Sequence, residues 1–548
     1  MSKKLFPLII ALLMFALVLA QITVLLAAPN YQEDEPVPPE DMFDTSANCA
    51  ACHNNLVDEE GTDISFIRAW QSSAMAQAAT DPYWQASVRK ETLANPEELN
   101  GTIQDICATC HMPMAVTALH AHDNVATVLG DDSLSNEAHS LSYLAMDGVS
   151  CLVCHQIKDE GFGEEASFDG GFVIDTELAI GERLVYGTFE INATNTRQMT
   201  RRSGFTPVQG EHMGESELCA TCHELITPFL DENGEIAGMF PEQTPYLEWQ
   251  NSSYRDEKSC QDCHMPDAAG SVAIARGGQM IYENVGQHTF LGANAYLTNL
   301  LISSGANANT MMQYIQLTND FLATQSAQLT LSDVSLADGV LSADVVVNSI
   351  SGHKLPTSYP SRRIWLHFVV TDAEQNVVFE SGAYEDNGFI IGNDNDVDGA
   401  LYEPHYTEIT AADEVQIYEP IMIDTLGVPT TTLLRASAYI KDNRIPPEGF
   451  DNAIVPHEIA VFGLANEDGN FGNGMDTVTY RIDVGDAQGP FTITSAMLYQ
   501  SIGYRWAMDM QEFQTDDGSA PEIDNFLNLY DQTPNIPQVV AMTEQTTE

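Results

Sequence analysis

Basic residues are scarce: 21 lysines and arginines face 79 aspartates and glutamates in 548 residues, a net charge of −58. So strong a negative field repels nucleic acid and anionic lipid headgroups, which excludes both as partners. The same field favours proteins with basic docking surfaces, divalent cations or positively charged mineral, and it keeps the chain soluble where salt screens its self-repulsion. Cysteine is just as restricted. None precedes Cys49, which rules out a lipid-modified cysteine near the start, and none follows Cys263. A hydrophobic fraction of 44% excludes a disordered chain. The length suits roughly two to four domains.

The ten cysteines fall into five C-x-x-C pairs, and each pair is followed by histidine: Cys49, Cys52 and His53; Cys107, Cys110 and His111; Cys151, Cys154 and His155; Cys219, Cys222 and His223; Cys260, Cys263 and His264. Zinc sites need four ligands and do not demand histidine after every second cysteine. Structural disulfides of an exported chain would scatter without this punctuation. C-x-x-C-H is the attachment signature of c-type haem. One turn of chain places both sulfurs at the porphyrin edge, and the next imidazole falls beneath the iron. The pattern predicts five covalent haems tethered by all ten cysteines, with His53, His111, His155, His223 and His264 as proximal iron ligands.

Nine histidines lie outside these motifs, enough to give every iron a second imidazole. The distal candidates are His120, His122, His139, His212, His288 and His353, chosen for their nearness to motifs or for segments with little other use for an imidazole. His367, in the alternating stretch IWLHFVV, reads as structural, as do His405 and His457. Met75 reads as a helix-face core residue beside Trp70, Ala74 and Ala78.

Along the chain, Lys3 and Lys4 followed by the apolar run to Ala28 form an export signal, either cleaved or kept as an N-terminal membrane anchor (1–28). An acidic, proline-rich linker occupies 29–45 and a helix-and-loop multihaem domain 46–295. A helical connector breaking at Gly305 fills 296–325. Period-two segments such as LSADVVVNS, RIWLHFVVTD and DTVTYRIDV then predict an immunoglobulin-like β-sandwich over 326–490, with a C-terminal helix and frayed tail over 491–548. The fold class expected is therefore α+β and multidomain. Asp394, Asp396 and Asp398, at alternate positions before Gly399, open like a calcium loop, although His405 stands where an EF-hand has its bidentate glutamate. The stretch NEDGNFGNGMD (466–476) is a weaker acidic loop of the same kind.

The stretches GVSCLVCHQI, LCATCHELIT, TPYLEWQNSSY and SCQDCHMPD resemble multihaem cytochromes of the cytochrome c-552/c-554 type, over residues 46–295. SGHKLPTSYPSRRIWLHFVVTD and YIKDNRIPPEGFD look like the β-rich C-terminal part of exported bacterial multihaem proteins. The resemblance implies bis-histidine haems packed for rapid electron hopping in periplasmic or extracellular respiration, with the contexts of His139 and His288 matching distal-ligand segments. Pentahaem nitrite reductases typically carry lysine at the catalytic motif, and all five positions here are histidine.

The function expected is an exported electron relay between respiratory partners, fed by an inner-membrane quinol-linked donor, at the periplasm or cell surface. Two alternatives stand beside it: a reductase or oxidase of small nitrogen or sulfur species with one open iron, and a subunit of an extracellular haem filament. Membrane contact would come only through the N-terminal segment, and calcium is the one further cofactor considered.

Overall fold

The computed structural model describes residues 37–278 and 280–547. The apolar segment 1–28 and the first part of the linker, 29–36, lie outside the described residues. Among the described residues no helix is long and apolar enough to cross a membrane.

The N-terminal half is built of short helices and loops. The helix Pro82–Ala94 begins on sequence signals: the Asp81 side chain accepts the Tyr83 backbone N–H at 2.8 Å, and Pro82 occupies the first turn, where its missing N–H costs nothing. Two small strand pairs punctuate this half. One is the parallel pair β1 (Leu184–Gly187) and β2 (Thr206–Gln209), the other the antiparallel pair β3 (Leu225–Leu230) and β4 (Ile236–Gln243). The connecting helices Ala295–Ser303 and Ala308–Gln325 part at Gly305, whose φ of +110° no helix accommodates.

The C-terminal half contains two larger sheets. One runs β5 (Ala327–Ala337), β6 (Val340–Ser349), β13 (Met475–Asp483), β9 (Glu408–Ile409). The other runs β10 (Ile417–Tyr418), β7 (Arg363–Thr371), β14 (Phe491–Gln500), β15 (Gln538–Thr547), with β8 (Val377–Ser381) beside β7. A separate hairpin pairs β11 (Pro420–Ile423) with β12 (Ala438–Asp442). The sheets share one core: Leu341, Ala343, Val345 and Val347 of β6 alternate inward and meet Ile364, Leu366, Phe368 and Val370 of β7. Phe368 stacks on Tyr480 of β13 with ring centroids 3.8 Å apart.

The C-terminal boundary expected at residue 490 is wrong. β14 is an interior strand of its sheet, and β15, which takes in 542–547 of the tail expected to fray, pairs along it from Phe491–Thr547 to Tyr499–Gln538. The stretch SAMLYQ escaped the strand pattern because β14 is buried on both faces over its last residues, which erases the polar alternation. Only Tyr504–Asp509 of the expected helix is helical, and a further helix, Pro521–Gln532, follows it. That helix packs on the Pro82–Ala94 helix, with Phe526 against Tyr83 and an Arg89–Glu522 ion pair at 2.8 Å. The two halves are thereby interlocked.

Candidate functional site

Each C-x-x-C-H lies on or at the end of a short helix: Ser46–Ala50, Asn100–His111, Cys151–Cys154, Ser216–His223 and Cys260–His264. Local signals start them. Ser259 and Asp262 close a reciprocal capping box at the fifth. At the first and third, one carboxylate serves both: Asp147 accepts the Ser46 backbone N–H and hydroxyl at 2.8 Å each, and the Ser150 hydroxyl as well. Gly148 is required beside it. Its φ is +60°, and a Cβ there would stand 2.7 Å from the Ala76 carbonyl oxygen.

All ten thiols are free and half-buried. The motifs form one array, which the sequence intervals did not reveal. Cys49 and Cys151 lie close enough to shift each other's ionisation, as do Cys110 and Cys222, and Cys219 and Cys260. Cys154 and Cys222 lie close enough for charge on one to oppose ionisation of the other. In space the first motif therefore adjoins the third, the third the fourth, and the fourth both the second and the fifth.

Four of the five motif imidazoles share a hydrogen-bonding pattern. Nδ1 of His53 donates to the Ile274 carbonyl at 2.7 Å, of His111 to Ala78 at 3.0 Å, of His155 to Tyr186 at 2.6 Å and of His264 to Leu291 at 2.5 Å. A carbonyl only accepts, so each proton sits on Nδ1 and the Nε2 lone pair is left free, the arrangement of a metal-ligating histidine with its outer support. Burial lowers the pKa of all five, His111 and His223 to about 4, which keeps them neutral at pH 7. Trp84 stacks flat on His111, with centroids 4.4 Å apart and planes within 5°.

Two further imidazoles repeat the pattern. Nδ1 of His288 donates to the Gly286 carbonyl at 3.2 Å and that of His353 to the Lys354 carbonyl at 2.9 Å. His288 stands 6.2 Å from His155, centroid to centroid, with planes 10° apart, and His353 stands 6.2 Å from His264 at 13°. Two imidazoles sharing one metal, each nitrogen about 2 Å from it and each ring centre about 1 Å behind its nitrogen, span about 6 Å. Ten thiols paired one turn apart, five buried neutral imidazoles, four of them supported by a carbonyl, and two facing imidazole pairs at this span fit c-type haem attachment.

The other distal candidates are turned elsewhere. His120 points Nε2 at Asp105, 2.9 Å away on the surface; His122 and His212 donate Nε2 to the carbonyls of Val37 and Ile157 at 2.8 and 3.0 Å. His139 accepts the Leu141 backbone N–H on Nδ1 at 3.1 Å, which places its proton on Nε2. None of the four forms a facing pair with a motif imidazole among the described residues; the ring neighbours of His212 are Phe162 and Tyr186. His367 bonds Glu380 across β7 and β8 at 2.8 Å. Met75 is half-buried and binds through its main chain, accepting the Val149 N–H.

The calcium loop expected at Asp394, Asp396 and Asp398 does not form. Asp396 turns inward to a two-pronged ion pair with Arg363 at 2.7 and 2.9 Å, and Asp398 caps the Ala400 N–H at 3.0 Å. A buried guanidinium already neutralises the carboxylate that a cation would need. The acidic groups that do converge are Asp468 and Asp476, around His405. Here the Gln416 and Asn443 side-chain amides donate to His405 Nδ1, so Nε2 carries the proton and gives it to Asp468 at 3.2 Å. That is a closed polar network.

Sequence reasoning missed the supports: Trp84 on His111, Asp147 between two motifs, and the charged residues behind His353. Only the charged residues had a sequence signal, their position within the quoted stretches around residues 248, 354 and 442.

No protein-family profile and no curated protein matches this chain. Among solved structures, it is similar to the crystal structure of a penta-heme cytochrome c552 from Thermochromatium tepidum, at 14% identity and a TM-score of 0.50, over 93% of this chain and 100% of that one. At that identity the likeness is one of fold: the chain has a mixed α+β fold in common with a multihaem cytochrome.

Proposed function

We propose that the chain is an exported pentahaem c-type cytochrome that relays electrons between respiratory partners. The observation that carries this is the single contiguous array of five C-x-x-C-H motifs with two imidazoles poised opposite His155 and His264. When bound, each haem supplies one-electron exchange between ferric and ferrous iron. The cysteines would tether five such groups along one branched array of motifs, and the carbonyls of Ile274, Ala78, Tyr186 and Leu291 hold four of the proximal rings in orientation and tautomer. His288 and His353 would supply a second imidazole at two sites, which would close those positions to substrate. The acidic surface favours partners with basic docking faces and lowers the potentials, because negative charge stabilises the oxidised iron. Export rests on the N-terminal segment 1–28. The sandwich is immunoglobulin-like in strand order: β5-β6-β13-β9 and β8-β7-β14-β15 follow the ABED and C′CFG sheets, with β9 departing by running parallel to β13.

A second reading, a haem oxidoreductase with an open iron, is favoured by one observation: among the described residues His53, His111 and His223 form no facing imidazole pair. Low-temperature electron paramagnetic resonance of the oxidised protein separates the two. The relay predicts low-spin signals from every iron, and a stoichiometric high-spin signal contradicts it in favour of the oxidoreductase.

A further inference from the structure

Three stretches that haem attachment leaves unused, TPYLEWQNSSY, SGHKLPTSY and YIKDNRIPPEGFD, meet at one point. Glu248 lies on the helix Pro245–Gln250, Lys354 in the loop between β6 and β7, Asp442 at the end of β12 and Arg444 just beyond. Glu248, Lys354 and Asp442 are 0% exposed and Arg444 3%. Lys354 Nζ donates to Asp442 at 2.7 Å and to the Ala460 carbonyl at 3.1 Å. Arg444 forks onto the same carboxylate at 2.9 and 2.7 Å and reaches Glu248 Oε1 at 3.3 Å. The other Glu248 oxygen accepts the Lys354 backbone N–H at 3.1 Å and the Thr357 hydroxyl. Burial would raise the Asp442 carboxyl, but the charges of Arg444 and Lys354 outweigh it and take the group down to about 2.

Two cations and two anions form a neutral set deep in the protein. Such a set is a poor way to gain stability, since well-packed apolar residues of the same volume serve as well or better. What it does provide is a fixed geometry, and the residue fixed is next to His353. The main chain of Lys354 is pinned at its N–H by Glu248, its side chain by Asp442, and its carbonyl accepts the Nδ1 proton of His353 at 2.9 Å. The Ser351 hydroxyl lies 3.0 Å from the same nitrogen.

We propose that Glu248, Lys354, Asp442 and Arg444 form a latch that positions His353 as the second imidazole at the His264 site, so that the β-rich half completes a haem tethered to the other half. This rests on the reading that the His264 iron takes His353, and it gives the sandwich a task beyond spacing or docking. The latch residues are positioning residues. They act on His353 through the Lys354 carbonyl that holds its Nδ1 proton.

The test uses the mature haem-loaded protein and reads iron spin state, with carbon monoxide binding after reduction. His353→Ala is expected to free one iron, giving one high-spin signal and one equivalent of bound carbon monoxide. The charge-neutral pair Lys354→Met with Asp442→Leu is expected to free the same iron, with the other four signals unchanged and low spin restored by added imidazole. If His353→Ala leaves every iron low-spin, the ligation reading fails and the latch with it. If His353→Ala frees an iron while the double variant keeps wild-type spectra, the ligation stands and the latch is overturned. Should the double variant not fold, Glu248→Gln decides: a shifted midpoint potential and altered signal at one iron alone support the latch, and unchanged spectra and potentials overturn it.

Discussion

The two halves differ in how far they pair buried charge. In the C-terminal half most buried ions are paired, Arg363 with Asp396, Lys441 with Glu419, and Lys354 and Arg444 with Asp442, while Glu403 and Asp476 stand without a lysine or arginine partner among the described residues. In the motif-bearing half, Glu224 and Glu242 are 0% and 6% exposed, yet neither has a basic partner within 4 Å among the described residues, and burial pushes each up to about 8. The sandwich neutralises most of its buried charge by pairing, with Glu248 of the other half joining one set. The other half keeps neutral carboxyls and neutral imidazoles, an interior in which a change of charge at the proposed irons is felt strongly. The cores differ in the same sense. β6, β7, β13 and β14 fill their core with aliphatic and aromatic side chains, whereas ten cysteines stay half-buried in the other half with no disulfide to explain them.

Preventing haem attachment breaks the comparison most severely. Made in a host without cytochrome c maturation, the chain is expected to lose protection over residues 46–295, because ligation supplies part of that half's apolar filling. The strands β5 to β15 should resist longer, and limited proteolysis followed by fragment mass analysis distinguishes the two regions. Uniform resistance would contradict the contrast. Next in size, His288→Ala should convert one low-spin iron to high spin in the resonance spectrum while leaving the fold intact. It acts at His155, a different site from that of His353.

Phe368→Ala sharpens the other side. Removing a ring stacked on Tyr480 in a closed core should cost about 3–5 kcal/mol in chemical denaturation while the Soret band stays unchanged. A smaller effect follows from Glu242. Its carboxyl has an ordinary value near 4.5 and is raised to about 8 in the fold, first by burial and then by Glu91 and Asp169. Between those values the folded chain holds a proton that the unfolded chain has released, so stability is greatest below pH 4.5 and falls as pH rises towards 8. Glu242→Gln should therefore flatten the decline in melting temperature between pH 5 and pH 8; an unchanged slope would remove Glu242 as its source. Smallest of all, Arg89→Met breaks an ion pair that is partly open to solvent and should cost about 1 kcal/mol or less in the same denaturation.

Much of this was legible in the sequence where chemistry depends on fixed spacing. The five motifs announce themselves in ten cysteines, and β6 shows its period-two pattern openly. Fixed spacing also deceived: Asp394, Asp396 and Asp398 have calcium-loop spacing, but Arg363, more than thirty residues away in sequence, takes Asp396. β14 was hidden because a strand buried on both faces shows no alternation, and β15 because its polar, exposed residues gain strand structure only through pairing with β14. Distal ligands were hardest to rank. Nearness in sequence favoured His139 and His212, while His353 faces His264 from 89 positions along the chain, delivered by a loop whose placement depends on tertiary contacts alone.

Intact mass spectrometry of the mature protein, produced with cytochrome c maturation, tests the covalent chemistry on which the rest depends. The polypeptide should carry the added mass of five haem groups and have no free thiol open to alkylation. A mature chain at the bare polypeptide mass, with its ten cysteines alkylated, would contradict the account at its root.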